Sequence, residues 1–205
     1  AGIPRHDVVF VGSCFDERLE LLTAIDWTGI DLGLYGNWDR VPADSPIRPF
    51  IQTSIIDNAQ AAALYRHAKI GLNLYRESIG WALGAARITY AESLNPRAYE
   101  LAACGCFSVC QARAEVTERF GGLVPTFSTA RECEALIRHW LADGAGRMAI
   151  AAQLPAIVAG DTWTHRGLQV REDLRAALPA ARARIARRAN ARLQAVQERP
   201  VACAS

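Results

Sequence analysis

The first two thirds of the chain alternate between short apolar runs and amphipathic segments. Residues 8–12 form a short β-branched run that ends in Gly, which is typical of a parallel strand buried on both faces of a sheet. The apolar runs at residues 31–35 and 70–75 predict two further strands. Weaker apolar runs predict three further strands, at residues 50–52, 107–110 and 123–127. The pattern therefore predicts a sheet of short, largely buried strands.

Helical patterns lie between these runs. An Asp at position 57, an Asn-Pro pair at positions 95 and 96 and a Thr at position 129 stand where N-cap residues are expected, just before periodic segments. The predicted helices cover residues 17–25, 57–67, 95–104, 115–120 and 129–142, and the chain beyond residue 144 has a helical pattern throughout.

This alternation predicts the fold class and the domain organisation. Strands that alternate with helices are typical of an open, doubly wound, Rossmann-like α/β parallel sheet, and the final segment adds C-terminal helices. We expect a nucleotide-binding domain over residues 1–160 and a basic helical extension over residues 161–205. Ligands of such sheets bind beyond the carboxyl ends of the strands, so functional residues should directly follow strands.

Composition narrows the class of protein. The chain is 51% hydrophobic and 21% charged, which suits a globular protein, and no apolar run reaches the roughly 18 residues of a membrane span. Its start shows no signal-peptide pattern. The six Cys residues form no C-x-x-C pair and no zinc-type cluster, so we expect reduced thiols, no metal and a cytoplasmic location.

Charge is small overall but unevenly distributed. The formal net charge of +2 gives no reason to expect a nucleic-acid partner. Residues 171–199 contain eight Arg and three acidic residues, a formal charge of +5, whereas the remainder of the chain carries −3. We interpret the basic segment as a solvated helix face, and contact with a membrane or an acidic polymer is the less favoured alternative.

One segment carries most of the functional signal. In YAESLNPRAYELAACGCF, which begins at residue 90, Glu92 lies in a loop, Glu100 lies on the second turn of the following helix, and seven residues separate them. The amino end of that helix offers unsatisfied N–H groups and a positive dipole to a phosphate, and Arg97 adds a charged donor for the same anion. A carboxylate one turn further can accept hydrogen bonds from a vicinal diol such as ribose.

The spacing of these residues resembles the donor motif of retaining glycosyltransferases with two Rossmann-like domains, the GT-B fold. The sequence Ser-Leu-Asn-Pro-Arg-x-Tyr-Glu, at residues 93–100, resembles still more closely the motif of spore-maturation-protein-like (CgeB-like) glycosyltransferases. The Phe-Val-Gly-Ser turn at residues 10–13 and the Asp-Thr-Trp-Thr-His-Arg segment at residues 161–166 also resemble that family, so the likeness covers roughly residues 7–175. Ser93 and Leu94 stand where many retaining relatives have Gly-Phe.

The resemblance implies a role for each part of the motif. Glu100 is expected to bind the ribose hydroxyls, and Glu92, the expected catalytic-site residue, is expected to face the donor sugar. The residues expected to hold the diphosphate, through side chains or backbone, are Ser93, Leu94, Asn95 and Arg97. Gly12, Ser13 and Arg18, in the region after the first strand, are expected to contact the same phosphates. Tyr75, which follows a strand, is expected to line the binding cleft, and the nucleobase is expected near residues 51–53.

The resemblance also implies what the chain needs. The co-substrate is a nucleoside-diphosphate sugar, with no other cofactor, and the acceptor is unknown. The acceptor site belongs to an N-terminal GT-B domain or to a partner chain, so we expect this chain to be one half of a longer enzyme. Alone it is expected to bind the donor and to transfer little.

Other interpretations stay open at this point. The two glutamates can be solvated surface acids, and Arg18 can simply pair with Glu17 or Glu20 on its own helix. The main alternative function is a non-catalytic nucleotide-binding or scaffold module with a GT-B-like half, and a response-regulator-like module is a weaker one. Dinucleotide, P-loop and α/β-hydrolase motifs are missing from the sequence. Trp38, after Gly36, is predicted to form a lid over the domain.

Overall fold

A computed structural model describes residues 2–53, 56–80, 82 and 84–197 of the protein. Contacts divide the chain into two compact units, residues 1–159 and residues 160–205. The last part of the predicted helical extension, residues 198–205, lies outside the described residues.

The first unit is built on one parallel sheet, as the alternating pattern predicted. Within the described residues the sheet has six strands in the order β3-β2-β1-β4-β5-β6. The strands are β1 (Val8–Val11), β2 (Leu32–Tyr35), β3 (Ile51–Thr53), β4 (Ile70–Asn73), β5 (Ser108–Gln111) and β6 (Thr126–Phe127). Winding reverses between β1 and β4, and a crevice opens beyond the carboxyl ends of two such neighbouring strands.

Helices cover the sheet, and their starts follow the predicted caps. The helices of this unit are α1 (Asp16–Thr23), α2 (Asn58–His67), α3 (Pro96–Ala103), α4 (Ala114–Phe120), α5 (Ala130–Ala142), α6 (Gly144–Ala151) and α7 (Leu154–Ile157). Asp57, Asn95 and Thr129 each accept a hydrogen bond from a backbone N–H of the first turn that follows, so the three predicted N-caps are confirmed.

The core lies on both faces of the sheet and brings α3 close to it. The side chains of Val8, Phe10 and Leu72 are fully buried. Gly71 in β4 faces α3 so closely that an added Cβ would lie 2.3 Å from a terminal methyl group of Leu101. Trp38 is 2% exposed and packs edge-on against Phe10. Its ring is therefore part of the core, where burial of a large aromatic surface is favourable, and the prediction that Trp38 forms a lid is wrong.

The described part of the second unit, residues 160–197, contains one long helix, α8 (Trp163–Gln197), of 35 residues. Thr162 lies just before it and its hydroxyl accepts a hydrogen bond from the His165 amide at 3.3 Å. Exposed apolar side chains occur along the helix at Trp163, Leu168, Val170, Leu174, Leu178 and Ile185. Among the residues that the structure describes, no helix combines the length and apolar character that a bilayer crossing requires.

Candidate functional site

A cleft opens at the carboxyl edge of the sheet, where β1 and β4 are neighbours. Its volume is about 420 Å³, and its walls come from the segments after β1, β4 and β5 and from the start of α3. The residues that line it are Arg18, Tyr75, Arg76, Ser93, Leu94, Asn95, Pro96, Arg97, Glu100 and Arg113. Four of these side chains are guanidinium groups and one is a carboxylate, so the cleft is strongly cationic.

The amino end of α3 forms one wall of the cleft. Asn95 is the N-cap and its side chain accepts a hydrogen bond from the Ala98 amide at 3.1 Å. Pro96 occupies the first helical position, where its missing N–H costs nothing. Neither residue accepts a hydrogen bond from the Arg97 amide. That N–H therefore lies at the positive end of the helix dipole and is not paired within the cap.

Two arginines meet behind this wall. The guanidinium of Arg18 donates to the carbonyls of Ser13 at 3.0 Å, Leu74 at 3.0 Å and Tyr75 at 3.3 Å, and Arg97 donates to the same Leu74 carbonyl at 3.3 Å. Both groups also lie near the ring of Phe10, at 5.3 Å and 4.8 Å from its centroid. In the described part of the chain, no carboxylate lies within ion-pair distance of either arginine.

Burial makes this pair of charges costly. Arg18 is 6% exposed, and burial together with the nearby charge of Arg97 lowers the pKa of Arg18 to about 9. A lowered pKa means that the folded chain disfavours the charged form relative to water. An anion bound beside the two guanidinium groups would relieve that cost.

Gly12 explains how Arg97 reaches the end of β1. A Cβ at this position would lie 2.7 Å from a terminal nitrogen of Arg97 and 2.9 Å from the Phe10 ring. The backbone dihedral of Gly12 is not in the left-handed region, so the requirement for glycine here is one of space. The next residue, Ser13, is fixed through its carbonyl by Arg18.

The loop between β4 and α3 is tied to both sides of the cleft. On one side, the Glu17 carboxylate accepts hydrogen bonds from the backbone N–H of Glu77 and from the backbone and hydroxyl of Ser78, at 2.6 to 3.1 Å. These hydrogen bonds lower the pKa of Glu17 against the opposing effect of its burial, which is the largest single contribution. Gln111 continues this support, since its side chain accepts from the Tyr75 amide at 3.1 Å.

The other side of the loop meets the start of α4. Glu92 accepts a hydrogen bond from the Ala114 amide at 3.1 Å, and Glu115 accepts one from the Leu94 amide at 2.7 Å. Arg113 donates to the Ser93 carbonyl at 2.9 Å.

Tyr75 forms the floor beneath these contacts. Its side chain is 2% exposed, and the Arg113 guanidinium lies 3.7 Å above its ring. Burial raises the pKa of Tyr75 well above its ordinary value, so the phenol stays neutral. Glu100, by contrast, is exposed on the outer turn of α3 and reaches the cleft from the solvent side.

Seven of the ten predicted site residues line the cleft: Arg18, Tyr75, Ser93, Leu94, Asn95, Arg97 and Glu100. Gly12 and Ser13 lie directly behind it, against Arg97 and Arg18. Glu92 is elsewhere, at the amino end of α4. The roles assigned to these residues stay predictions.

Two cleft residues, Arg76 and Arg113, were missed by the sequence reasoning. Both could have been found from the strand pattern, because each follows closely on a predicted strand and therefore had to emerge at the carboxyl edge. Within the described residues, no group of three His, Cys, Asp or Glu side chains is arranged to hold a metal ion.

Known structures share this architecture. Sucrose-phosphate synthase from Thermosynechococcus elongatus matches with a TM-score of 0.63 and 18% identity, over 85% of this chain and 46% of that one. Anabaena HepE, solved in complex with UDP-glucose, matches with a TM-score of 0.57 and 14% identity, over 84% and 49%. WaaG, a glycosyltransferase involved in lipopolysaccharide biosynthesis, matches with a TM-score of 0.51 and 16% identity, over 78% and 44%.

These matches show the fold, a Rossmann-like sheet corresponding to the C-terminal half of GT-B glycosyltransferases. The chain spans less than half the length of each of the three proteins. None of the curated proteins matches the sequence. The model of the glycosyl transferase-like family matches residues 18–172, which include the segment 90–107. The chain therefore belongs to the glycosyl transferase-like family.

Proposed function

We propose that this chain is the donor-binding half of a glycosyltransferase and that its cleft holds a nucleoside-diphosphate sugar. In this proposal the acceptor is bound by an N-terminal domain or a partner chain, and the enzyme is of the CgeB-like type. The sequence motif at residues 90–107 and the position of the cleft at the winding reversal support the same ligand class.

The observation that carries the proposal is the unneutralised arginine pair. Arg18 and Arg97 share one carbonyl and one aromatic ring, and no described carboxylate pairs with either of them. Arg113 lies across the same cleft, also without an ion pair among the described residues. A diphosphate carries the opposite charge in a compact form, and arginine binds phosphate oxygens through paired N–H groups.

The remaining parts of the donor follow from the direction of α3. The Arg97 amide and the Asn95 cap face the diphosphate, and Glu100, one turn further along the helix, accepts hydrogen bonds from the ribose diol. The donor sugar then lies toward the segment that contains Glu92. Glu92 has one carboxylate oxygen bonded to the Ala114 amide, and its other oxygen is available for a sugar hydroxyl.

Transfer of the sugar breaks the bond between its anomeric carbon and a diphosphate oxygen and forms a bond between that carbon and the acceptor, which gives up a proton. The diphosphate leaves with the electron pair and therefore with negative charge. Arginines and the helix amino end stabilise that charge as it develops, because they are already oriented by the fold. We propose that this set of cations replaces a divalent metal in charge stabilisation. The free cysteines at positions 14, 104, 106, 110 and 133 suit a reducing compartment, which supports a cytoplasmic location.

A thermal-shift experiment tests the proposal. The chain is melted with UDP, GDP or ADP and with their glucose conjugates, once with EDTA and once with Mg²⁺. A nucleotide at about 100 times its dissociation constant should add about 2.7 kcal/mol to the free energy of unfolding, and EDTA should not reduce that effect.

Two results would contradict this proposal. If no nucleotide changes the melting temperature, the cleft is not a donor site. If stabilisation requires Mg²⁺, the arginines do not replace a metal. Donor binding without transfer, after the missing half has been supplied, would favour the non-catalytic nucleotide-binding or scaffold module instead.

A further inference from the structure

Three hydrogen bonds join the start of α4 to the segment that precedes α3. The Ala114 amide donates to Glu92 at 3.1 Å, the Leu94 amide donates to Glu115 at 2.7 Å, and the Arg113 guanidinium donates to the Ser93 carbonyl at 2.9 Å. These six residues, 92–94 and 113–115, are called the α4 clamp below. Each of its two segments contributes both a hydrogen-bond donor and an acceptor, so the two segments hold each other.

The clamp lies against the cleft. Ser93, Leu94 and Arg113 are themselves cleft residues, and Arg113 is further fixed by stacking 3.7 Å above the buried ring of Tyr75. Glu115 is half-buried and does not line the cleft. The segment 92–94 has no helical or strand hydrogen bonds of its own, so these contacts determine its conformation.

We propose that Arg113 and Glu115 are positioning residues of the donor cleft. They fix the backbone that leads into Asn95 and Arg97, and they thereby hold the phosphate-binding end of α3 in the geometry that accepts a nucleoside diphosphate. This inference rests on the proposed function. It assigns a role to the segment after β5, from which the sequence motif named no residue.

A competing interpretation makes the opposite prediction. The Glu115 carboxylate could occupy the Leu94 amide in place of a phosphate oxygen, and it would then act as an internal competitor of the donor. The other two hydrogen bonds of the clamp favour positioning, because a competitor does not need Glu92 at Ala114 or Arg113 at Ser93.

Substitution of Glu115 tests the positioning role more directly than substitution of Arg113. Simple electrostatics and the positioning role predict opposite changes in nucleotide affinity when Glu115 is replaced. Removing a negative charge near a bound diphosphate should strengthen binding, whereas loosening the clamp should weaken it. Glu115→Ala removes the acceptor for the Leu94 amide. Glu115→Gln removes the charge but keeps a carbonyl oxygen that accepts the same hydrogen bond. Glu118→Ala, at an exposed site in the same helix, is the matched control.

The measurement is titration calorimetry with UDP, GDP and ADP, combined with amide hydrogen exchange of Leu94 by NMR. We expect Glu115→Ala to weaken binding about tenfold and to speed exchange at Leu94, while Glu115→Gln and Glu118→Ala stay within about twofold of the unsubstituted chain. Tighter binding in Glu115→Ala would overturn positioning in favour of the competitor.

Unchanged binding in Glu115→Ala, with faster exchange at Leu94, would also overturn the positioning role, since the clamp would then be structural only. That result leaves the proposed function intact. Failure of the unsubstituted chain to bind any of the three nucleotides overturns the proposed function and the positioning role together, so the two failures are distinguishable.

Discussion

The amino ends of α3 and α4 lie on either side of the same short segment, and they use their backbone donors differently. At α4 the Ala114 amide is already paired with Glu92. At α3 the Asn95 cap pairs with the Ala98 amide, and the Arg97 amide is left toward the cleft. One helix end is closed by the protein's own carboxylate, and the other faces a pocket of arginines.

Both ends also place an arginine where the helix dipole disfavours one. Arg113 stacks on the Tyr75 ring and donates to the Ser93 carbonyl, and among the described residues no carboxylate forms an ion pair with it. Arg97 likewise lies over the Phe10 ring and donates to the Leu74 carbonyl, with no described carboxylate within ion-pair distance. The two helix ends therefore differ in their backbone donors and not in their arginines. The comparison teaches that an arginine at a helix start does not by itself indicate a ligand site, and that the pairing of the backbone N–H groups has to be compared as well.

The largest expected effect is at the open helix end. Arg97→Ala should weaken nucleoside-diphosphate binding about a hundredfold, near 2.7 kcal/mol, because it removes a charged donor pair from the diphosphate. Titration calorimetry with UDP, GDP and ADP measures this. Arg138→Ala, which breaks an exposed ion pair with Asp26 and Glu134 outside the cleft, is the control and should leave binding unchanged. Equal losses in both variants would mean that total charge, and not the cleft, governs binding.

A smaller effect should separate the two glutamates. Glu100→Gln replaces a charged acceptor with a neutral one and should weaken the free diphosphate and the intact nucleotide sugar alike, by about tenfold. Glu92→Gln keeps the hydrogen bond to Ala114 and should weaken only the nucleotide sugar, since the free diphosphate lacks the sugar. Four titrations, two variants with two ligands, decide the assignment. It fails if Glu92→Gln weakens the free diphosphate as much as Glu100→Gln does.

The smallest expected effect concerns stability and how the opposite wall is held. The folded-state pKa of Glu17 is lowered by its hydrogen bonds to Glu77 and Ser78, so this stabilisation is present above the ordinary pKa of 4.5 and is lost as the pH falls below it. Glu17→Gln should cost about 1 kcal/mol at pH 7, because the side chain is only half-buried, and much less in acid.

Urea unfolding of the original chain and the Glu17→Gln variant at several pH values measures that difference. The two stabilities should converge as the pH is lowered through the carboxylate range. A constant difference between them from neutral to acid pH would show that the charge of Glu17 does not hold the loop.

Local signals in the sequence were sufficient for most of the fold. Asp57, Asn95 and Thr129 determined three helix starts, because an N-cap acts through bonds to the next few residues. Alternation of strands and helices predicted the parallel sheet, because a helix between two successive strands is the usual connection in such a sheet. The end of the sheet was less predictable: Leu123 belongs to a turn bonded to Phe120, and only Thr126–Phe127 pair with β5.

The site was predictable where it depends on one segment and unpredictable where it depends on contacts across the fold. Asn95 caps α3, and Arg97 and Glu100 lie on that helix, so their spacing in the sequence was enough to predict that they lie together. Arg18 stands on α1, and only the folded chain shows that three carbonyls surround its guanidinium. Trp38 was misinterpreted because an aromatic residue in a loop has the same local sequence whether its ring is outside or inside the core.

Gly71 offers a way to adjust the cleft from a distance. Gly71 is not among the residues that line the cleft, yet the space it leaves for Leu101 sets how near α3 lies to the sheet. An alanine at this position would add one methyl group beneath α3 and displace the amino end of that helix, while every cleft side chain keeps its identity. For protein engineering, this interior glycine is therefore a position from which the shape of the cleft can be changed without replacing any residue that lines it.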